Sequence, residues 1–573
     1  MNVPYSRVVL LLAIVAAVTP ILAADTELAI KAIKRGDACC DKSDLGSAIS
    51  AYTDAIRLDP ANARARYKRG VACQLMREFR KAIDDYSEAI RLDPKDVAPL
   101  YNRGACYVQI GDYDKAIADL TAVIQLNPKS MKPHSYRGNL LLQKGEVDKA
   151  IADYTEAIRL DPSFVPSYTN RAAAYYKKGD NERALADLSR VVLLHFPYTL
   201  DDDHRMSAVP DRRELERAIA GLTELVGLVP NRAKPLNTRG AAYLRIGDFD
   251  RAIKDFTEAI RIDPKLASAY YNRSDTYRLK GQFDLALADS DAALRLDPKN
   301  ARIYCNRGLV YEARGDNQRA VADWTEAIRL DPKRVDPYIH RGNARIKQNK
   351  LDEAIADLSE AIRLSPGLAG SYRIRAGAYR LKDEADRALA DCTEAIRLNP
   401  GLPAAYIQRG LVYTDKGDLD KAIEDFTKAI QLNAKAVLAF SGRGFAYSRK
   451  GDIDKTVADY SEVIRLDPGN AAAYNNRGMA LDKKGDRDAA VADLTEAIRL
   501  VPKSAFYWNR GTICFRNAEY DNAIADLTEA IRLSPTFGEA YHQRGLAYEK
   551  VGEQSKAEED FARARKLGYA DKR

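Results

Sequence analysis

An arginine recurs along this 573-residue chain at a fixed interval: Arg35, Arg69, Arg103, Arg137 and Arg171, then onward through Arg307 to Arg544. An aspartate follows sixteen residues later in nearly every case, as in Asp85, Asp119, Asp153, Asp187 and Asp323. A row of guanidinium groups could bind phosphates or acidic ligands. A guanidinium facing a carboxylate forms a forked ion pair instead, because its planar donors match two oxygens. The aspartates would neutralise an anion-binding row, so the paired reading is favoured. Asparagine recurs too, at Asn102, Asn170, Asn272, Asn306, Asn476 and Asn509. An amide offers both donor and acceptor, which suits hydrogen bonding to the backbone of a bound peptide. An exposed polar residue with no ligand is the alternative. Tyr101, Tyr271 and Trp508 stand beside three of these amides, and Trp508 has the size and amphipathic character of a binding hot spot.

Catalytic material is sparse. The five histidines, His134, His195, His204, His340 and His542, are scattered. Only Asp201, Asp202, Asp203 and His204, with His195 nearby, form a local cluster that could hold a divalent cation. Consecutive side chains point in different directions, so a solvated loop is preferred and no metal site is assigned. There is no glycine-rich phosphate loop, no His-Glu-x-x-His and no serine-centred elbow. No catalytic residue and no cofactor are expected.

One periodicity underlies these intervals. Pro60, Pro94, Pro128 and Pro162 are 34 residues apart, and so are Gly36, Gly70, Gly104 and Gly138. A fixed period of this length means one supersecondary unit stacked many times. In the stretch 301–334, Tyr304, Gly308 and Tyr311 fall on one face of a first helix, and Ala320, Trp324, Ala327 and Ile328 on one face of a second. Gly315 permits the left-handed backbone that ends the first helix, and Asp316 caps the next. Asp331 and Pro332 end the second helix. The unit is therefore two antiparallel helices, with Gly308 and Ala320 small where the backbones approach. With Ala301 as position 1, the asparagines stand at position 6, the arginines at 7 and the aspartates at 23.

This unit resembles the tetratricopeptide repeat: aromatic at 4, Gly at 8, Tyr at 11, Ala at 20, aromatic or Leu at 24, Ala at 27 and Pro at 32. About sixteen units run from Ala29 to Asp571. The resemblance implies an all-α, right-handed superhelical solenoid in which positions 2, 5, 6, 9 and 12 of the first helices line a concave ligand groove. Position 7 is usually Leu in the family and is Arg in all sixteen units here; position 23 departs from Asp only at Ala51 and Gly221. The unit 199–232 is degenerate: its first half lacks the small glycine and carries Pro210, so that helix is expected to be shortened or replaced by a loop. The unit beginning at Ala471 is one residue short. The expected layout is a signal segment 1–24, units one to five over 25–198, the degenerate unit 199–232, and the remaining units over 233–573. Family members that clamp an acidic C-terminus use Lys and Asn at set places; Asn139 and Asn343 fit, but Ser135 and Ile339 do not, so that route is not expected.

Charge excludes little but is informative. With 90 basic and 82 acidic residues the net charge is +8, too mild over this length to call for nucleic acid or an anionic membrane. At the N-terminus Arg7 precedes an apolar stretch from Val8, broken by Pro20 and ending in Ala23 and Ala24. This is the layout of a cleaved export signal. An uncleaved membrane anchor is the alternative, disfavoured because a span needs about 20 apolar residues. Seven cysteines do not form a disulfide framework. Cys39, Cys73 and Cys514 occupy position 11 and read as apolar fillers, with a Cys73–Cys106 bridge as the rival reading. The function expected is a non-catalytic interaction scaffold, exported to the periplasm or beyond, that holds extended peptides or a protein partner in its groove. The alternatives are an accessory subunit presenting substrates to a separate enzyme, and a metal- or carbohydrate-binding envelope protein.

Overall fold

The computed structural model describes residues 26–194, 212–229 and 232–569. The expected export signal, the Asp201–His204 cluster with His195, and the Pro210 segment lie outside them. The described residues form 31 α-helices and no strand, in two compact units, 26–298 and 299–569. The first unit contains α1 (26–41), α2 (Leu45–Leu58), α3 (Ala63–Leu75), α4 (Phe79–Leu92), α5 (Val97–Gln109), α6 (Tyr113–Leu126), α7 (Met131–Gln143), α8 (Val147–Leu160), α9 (Val165–Lys177), α10 (Asn181–Leu194), α11 (Arg212–Leu228), α12 (Ala233–Arg245), α13 (Phe249–Ile262), α14 (Ala267–Leu279) and α15 (Phe283–Leu296). The second contains α16 (Ala301–Ala313), α17 (Asn317–Leu330), α18 (Asp336–Lys347), α19 (Leu351–Leu364), α20 (Ala369–Leu381), α21 (Ala385–Leu398), α22 (Pro403–Lys416), α23 (Leu419–Leu432), α24 (Val437–Lys450), α25 (Ile453–Leu466), α26 (Ala471–Lys484), α27 (Arg487–Leu500), α28 (Ser504–Arg516), α29 (Tyr520–Leu533), α30 (Gly538–Lys550) and α31 (Gln554–Lys566).

Within each unit the helices form hairpins, each packed on the hairpin before it. The hairpin turn follows from position 15, where the backbone is left-handed: φ is +88° at Gly315 and +82° at Gly417. Five pairs make the same turn without glycine, at Ser43, Arg77, Asn349, Asp383 and Ala518. The aspartate that follows the turn caps the second helix: the Arg319 N–H donates to Asp316 Oδ1 at 3.1 Å.

The core alternates small and large. Ala320 and Ala327 are fully buried around Trp324, whose Nε1 donates to the Cys305 carbonyl at 3.2 Å. Gly308 is obligatory beside that ring, since a Cβ there would lie 2.5 Å from Trp324 Nε1. Opposite a leucine at position 24 the constraint varies: at Gly342 a Cβ would still lie 2.9 Å from Leu358 Cγ, whereas other pairs are looser. A Cβ at Gly104 would meet nothing nearer than 3.5 Å, with Leu120 at position 24, and Ala172 replaces glycine opposite Leu188.

The degenerate unit contributes α11, which keeps the second-helix pattern, with Ala218, Leu222 and Leu225 buried. These residues pack against Tyr168 and Ala172 of α9 as well as Leu188 and Val191 of α10. So α11 closes onto both helices of the preceding pair. The expected loss of its first helix concerns residues outside those described.

Candidate functional site

The recurrent arginine and aspartate meet in all fourteen pairs that have both. Nε donates to one carboxylate oxygen at 2.7–2.9 Å and Nη2 to the other at 2.6–2.8 Å. The aspartates are 4–7% exposed, so this is a buried, fork-to-fork ion pair rather than an anion-binding ladder. The hydrogen bond to Asp119 raises the Arg103 pKa further above its ordinary value, although burial opposes it. Where position 23 is Ala51, Arg35 turns to Asp54 at 2.6 Å instead.

The guanidinium has a third partner that the spacing of Arg and Asp did not reveal. Nη1 donates to the hydroxyl at position 25 of the preceding pair: Arg103 to Ser87 at 2.9 Å, Arg171 to Thr155 at 2.9 Å, Arg341 to Thr325 at 3.0 Å. That hydroxyl donates its own hydrogen to the carbonyl four residues back, as Ser87 does to Ile83 at 2.7 Å, leaving lone pairs for the arginine. The signal was present in Thr53, Ser87, Thr121 and Thr155, sixteen residues before the arginines. The arginine thus ties the two helices of its own pair together and ties the pair to its predecessor.

Local replacements extend the network. His134, at the aromatic position 4, brings Nδ1 to 3.3 Å from Asp153 Oδ1. Arg345 stands at position 11 in place of Tyr and gives Asp357 a second guanidinium at 2.6 Å. His340 stacks on Trp324, and His542 packs against Phe561 and Tyr569. Among the described residues no three His, Cys, Asp or Glu side chains gather as metal ligands. The seven cysteines are free thiols. Cys73 and Cys106 share the cluster around Tyr86, and burial pushes the Cys106 thiol up to about 11 and the Cys392 thiol to about 12.

The position-6 asparagines lie between neighbouring first helices. Asn102 donates to the Tyr67 hydroxyl at 3.2 Å, Asn170 to Asn139 at 2.9 Å, Asn272 to Asn237 at 3.0 Å and Asn509 to Asn475 at 2.8 Å. Asn476 donates to Tyr460 at 3.2 Å. All five are half-buried, whereas Asn306 is buried, and its Oδ1 has no hydrogen-bond partner among the described residues. Tyr101 meets Tyr136 edge-on at 5.8 Å, Tyr271 is half-buried on α14, and Trp508 lies 5.7 Å from Phe537. The structure therefore distributes these residues over the first helices of several pairs in each unit rather than gathering them at one point. Farther along the same helices, charges cross from one first helix to the next: Glu312–Lys347 at 2.8 Å, Arg380–Asp415 at 2.9 Å and Asp482–Arg516 at 2.8 Å.

Family models described as tetratricopeptide repeat match residues 63–96, 97–130, 233–266, 305–369, 339–403, 442–505, 475–537 and 538–567. One described as TPR repeat matches 36–76, 138–179, 274–315 and 410–451. The chain belongs to the tetratricopeptide repeat family. None of the curated proteins matches this TPR protein. Among solved structures it is similar to the APC/C hetero-tetramer Cut9-Hcn1, at 16% identity over 84% of this chain and 95% of that one, with a TM-score of 0.40. It is also similar to yeast Tom70, at 20% identity over 77% and 98%, with a TM-score of 0.38. YrrB, described as a TPR protein with an unusual peptide-binding site, matches at 24% identity over 32% and 94%, with a TM-score of 0.27. As a TPR architecture the chain is a protein-interaction scaffold, and no described helix is long and apolar enough to cross a membrane.

Proposed function

We propose that this TPR protein is a non-catalytic scaffold that holds extended segments of a partner protein against its first-helix face, and that it does so after export. The observation that carries the reading is a division of labour within each pair. Positions 7, 8, 23 and 24 are taken by the ion pair and the core. Positions 2, 5 and 9 change from pair to pair, as in Val71, Ala105, Asn139, Leu309 and Phe445 at position 9. A surface tuned unit by unit over a repeated frame suits sequence-selective binding. The asparagines fit it as well: Asn272 donates through Nδ2 to Asn237, and its carbonyl oxygen remains for a peptide N–H. The export layout around Arg7 and Val8 supports a location outside the cytoplasm.

Photo-crosslinking from Tyr101, Tyr271 and Trp508 tests the reading, with crosslinker also installed at the opposite-face residues Arg91 and Arg261. Partner segments should be captured from the first-helix positions and lost on Asn272→Ala. Equal capture from Arg91 and Arg261, or capture insensitive to Asn272→Ala, overturns it.

A further inference from the structure

The first-helix face is not chemically uniform. In the first unit it carries exposed bases at position 2, namely Arg64, Lys132 and Lys234. In α16, α18 and α20 it still holds Arg302, Asp336 and Arg373. From α22 through α28 it changes: positions 2, 5, 6 and 9 of these four helices contain no charged side chain. Of the charges at positions 12 and 13, Asp415 is engaged by Arg380, Asp482 by Arg516 and Arg449 with the Thr414 carbonyl at 3.2 Å, while Lys483 at position 13 of α26 is exposed. On this neutral ground stand two strongly exposed apolar side chains, Leu438 at 70% and Phe445 at 48%. Between them is Gly442, held small because a Cβ would come 2.5 Å from the Phe426 ring. The result on α24 is an apolar shelf of two exposed side chains, with the Phe426 ring closing the space at Gly442 between them. Leu411 of α22 and Met479 of α26 stand at the same position 9 as Phe445, one repeat to either side.

We infer that this face takes an uncharged segment in the polyproline II conformation, with apolar side chains at every third residue. The inference rests on the first-helix binding surface proposed above and names its occupant. Charge comes first: a charged ligand residue here would lose water and meet no counter-charge at positions 2, 5, 6 or 9, whereas an apolar one covers Leu438 and Phe445. Spacing comes second. Neighbouring packed helices lie about 8–10 Å apart. A polyproline II segment rises about 3.1 Å per residue with three residues per turn, so like-facing side chains recur about every 9.3 Å. A β-strand repeats its face about every 6.6 Å and falls out of step after one helix. On the packed helices α22 and α24, Leu411 and Phe445 are thus matched by residues i and i+3 of the occupant, which continues toward Met479 on α26. Hydrogen bonding comes third. Asn475 donates to Asn476 at 3.1 Å, Asn509 to Asn475, and Asn476 to Tyr460. With these amides engaged on one another, an occupant whose backbone stays solvated is favoured over one that needs a strand partner.

Fluorescence anisotropy on the full chain tests this with three labelled proline-rich nonamers: an uncharged one with leucines at the first, fourth and seventh places, an uncharged one with leucines at the first, third and fifth, and a charged one with glutamates in place of the first set. Saturable binding of the first peptide is expected, at least tenfold tighter than either control. Phe445→Ala should weaken it about tenfold, as should the separate change Leu438→Ser, while Tyr136→Ala in the first unit leaves it unchanged. Both shelf side chains are exposed, and circular dichroism verifies that each variant folds. Equal affinity for the second peptide, preference for the glutamate peptide, indifference to both shelf variants, or a Phe445-dependent dimer in sedimentation overturns the inference. If crosslinking from Tyr101 and Tyr271 still captures a partner in that event, the scaffold reading survives and only the assigned occupant falls.

Discussion

Removing one partner of the buried fork should cost far more than removing both. Arg103 and Asp119 provide the cleanest case. Asp119 is 5% exposed and accepts from Arg103 Nε at 2.9 Å and Nη2 at 2.7 Å, while Nη1 reaches Ser87 at 2.9 Å. In Asp119→Ala the guanidinium keeps the Ser87 contact and loses two charge-assisted bonds within a site that excludes water. Breaking a buried pair from one side costs about 3–5 kcal/mol. The Arg103 side chain retains 20% exposure and can recover some hydration, which puts this case near 3 kcal/mol. The double change Asp119→Ala with Arg103→Leu strands no charge, and Ser87 still donates to Ile83, so it should cost about 1 kcal/mol or less. A stacked-repeat chain does not unfold as one cooperative unit, so a single melting temperature would blur the difference. Native-state hydrogen exchange resolved to α4, α5 and α6 reads the local opening free energy directly. At about 1.4 kcal/mol per tenfold, Asp119→Ala should speed exchange there about a hundredfold, and the double variant less than tenfold. Equal exchange in the two variants would refute a buried pair whose desolvation matters.

Two further outcomes follow from the packing. Gly308→Ala should destabilise α16–α17 by about 1–3 kcal/mol because its Cβ meets Trp324 Nε1 at 2.5 Å, whereas Gly104→Ala, with 3.5 Å of clearance, should be near neutral, and both are read by hydrogen exchange. The thiol pKa is pushed up to about 11 at Cys106 and Cys514 and to about 12 at Cys392 by burial. A folded pKa above the unfolded one gives stability that is complete below the ordinary thiol range and is lost as pH rises toward these values. Native protein at pH 8 should therefore expose only Cys39 and Cys40 to a thiol reagent, with the remaining five appearing on denaturation; rapid native labelling of Cys392 would contradict its burial.

The hairpin, its turn and its core were legible because each is written inside one repeat. Gly308, Trp324 and Ala327 belong to the same 34 residues, and repetition separates their pattern from chance. The fork was legible for the same reason, since Arg103 and Asp119 share a pair. What escaped notice depends on a neighbour. Ser87 bonds Arg103 only because the next pair sets the arginine over it, although the hydroxyl at position 25 was plain in Thr53, Thr121 and Thr155. For the asparagines the sequence leaves two readings open, peptide-binding amide or exposed polar residue, because partners such as Tyr67 for Asn102 and Asn139 for Asn170 belong to the neighbouring pair. Beside Tyr67, Asn102 is half-buried, whereas Asn306 is covered. The packing of α11 on α9 is likewise tertiary, since no pattern within Arg212–Leu228 says which neighbour it will meet.

A buried ion pair is weak evidence of net stability, because desolvation offsets most of the attraction and a well-packed apolar pair can replace it. Its repetition in fourteen pairs is better explained by direction. Apolar contacts between hairpins permit sliding and rotation; a planar guanidinium with three fixed acceptors does not. Two arms on the aspartate set the angle between the helices of one pair, and the third arm on the preceding hydroxyl sets the step between pairs within a stack. With register fixed at positions 7, 23 and 25, the variable position 9 of the first helices is relieved of setting the step between pairs. Ala105 and Phe445 can occupy the same position of different pairs without altering the frame, and a face free of that duty can carry an exposed shelf such as Leu438 and Phe445.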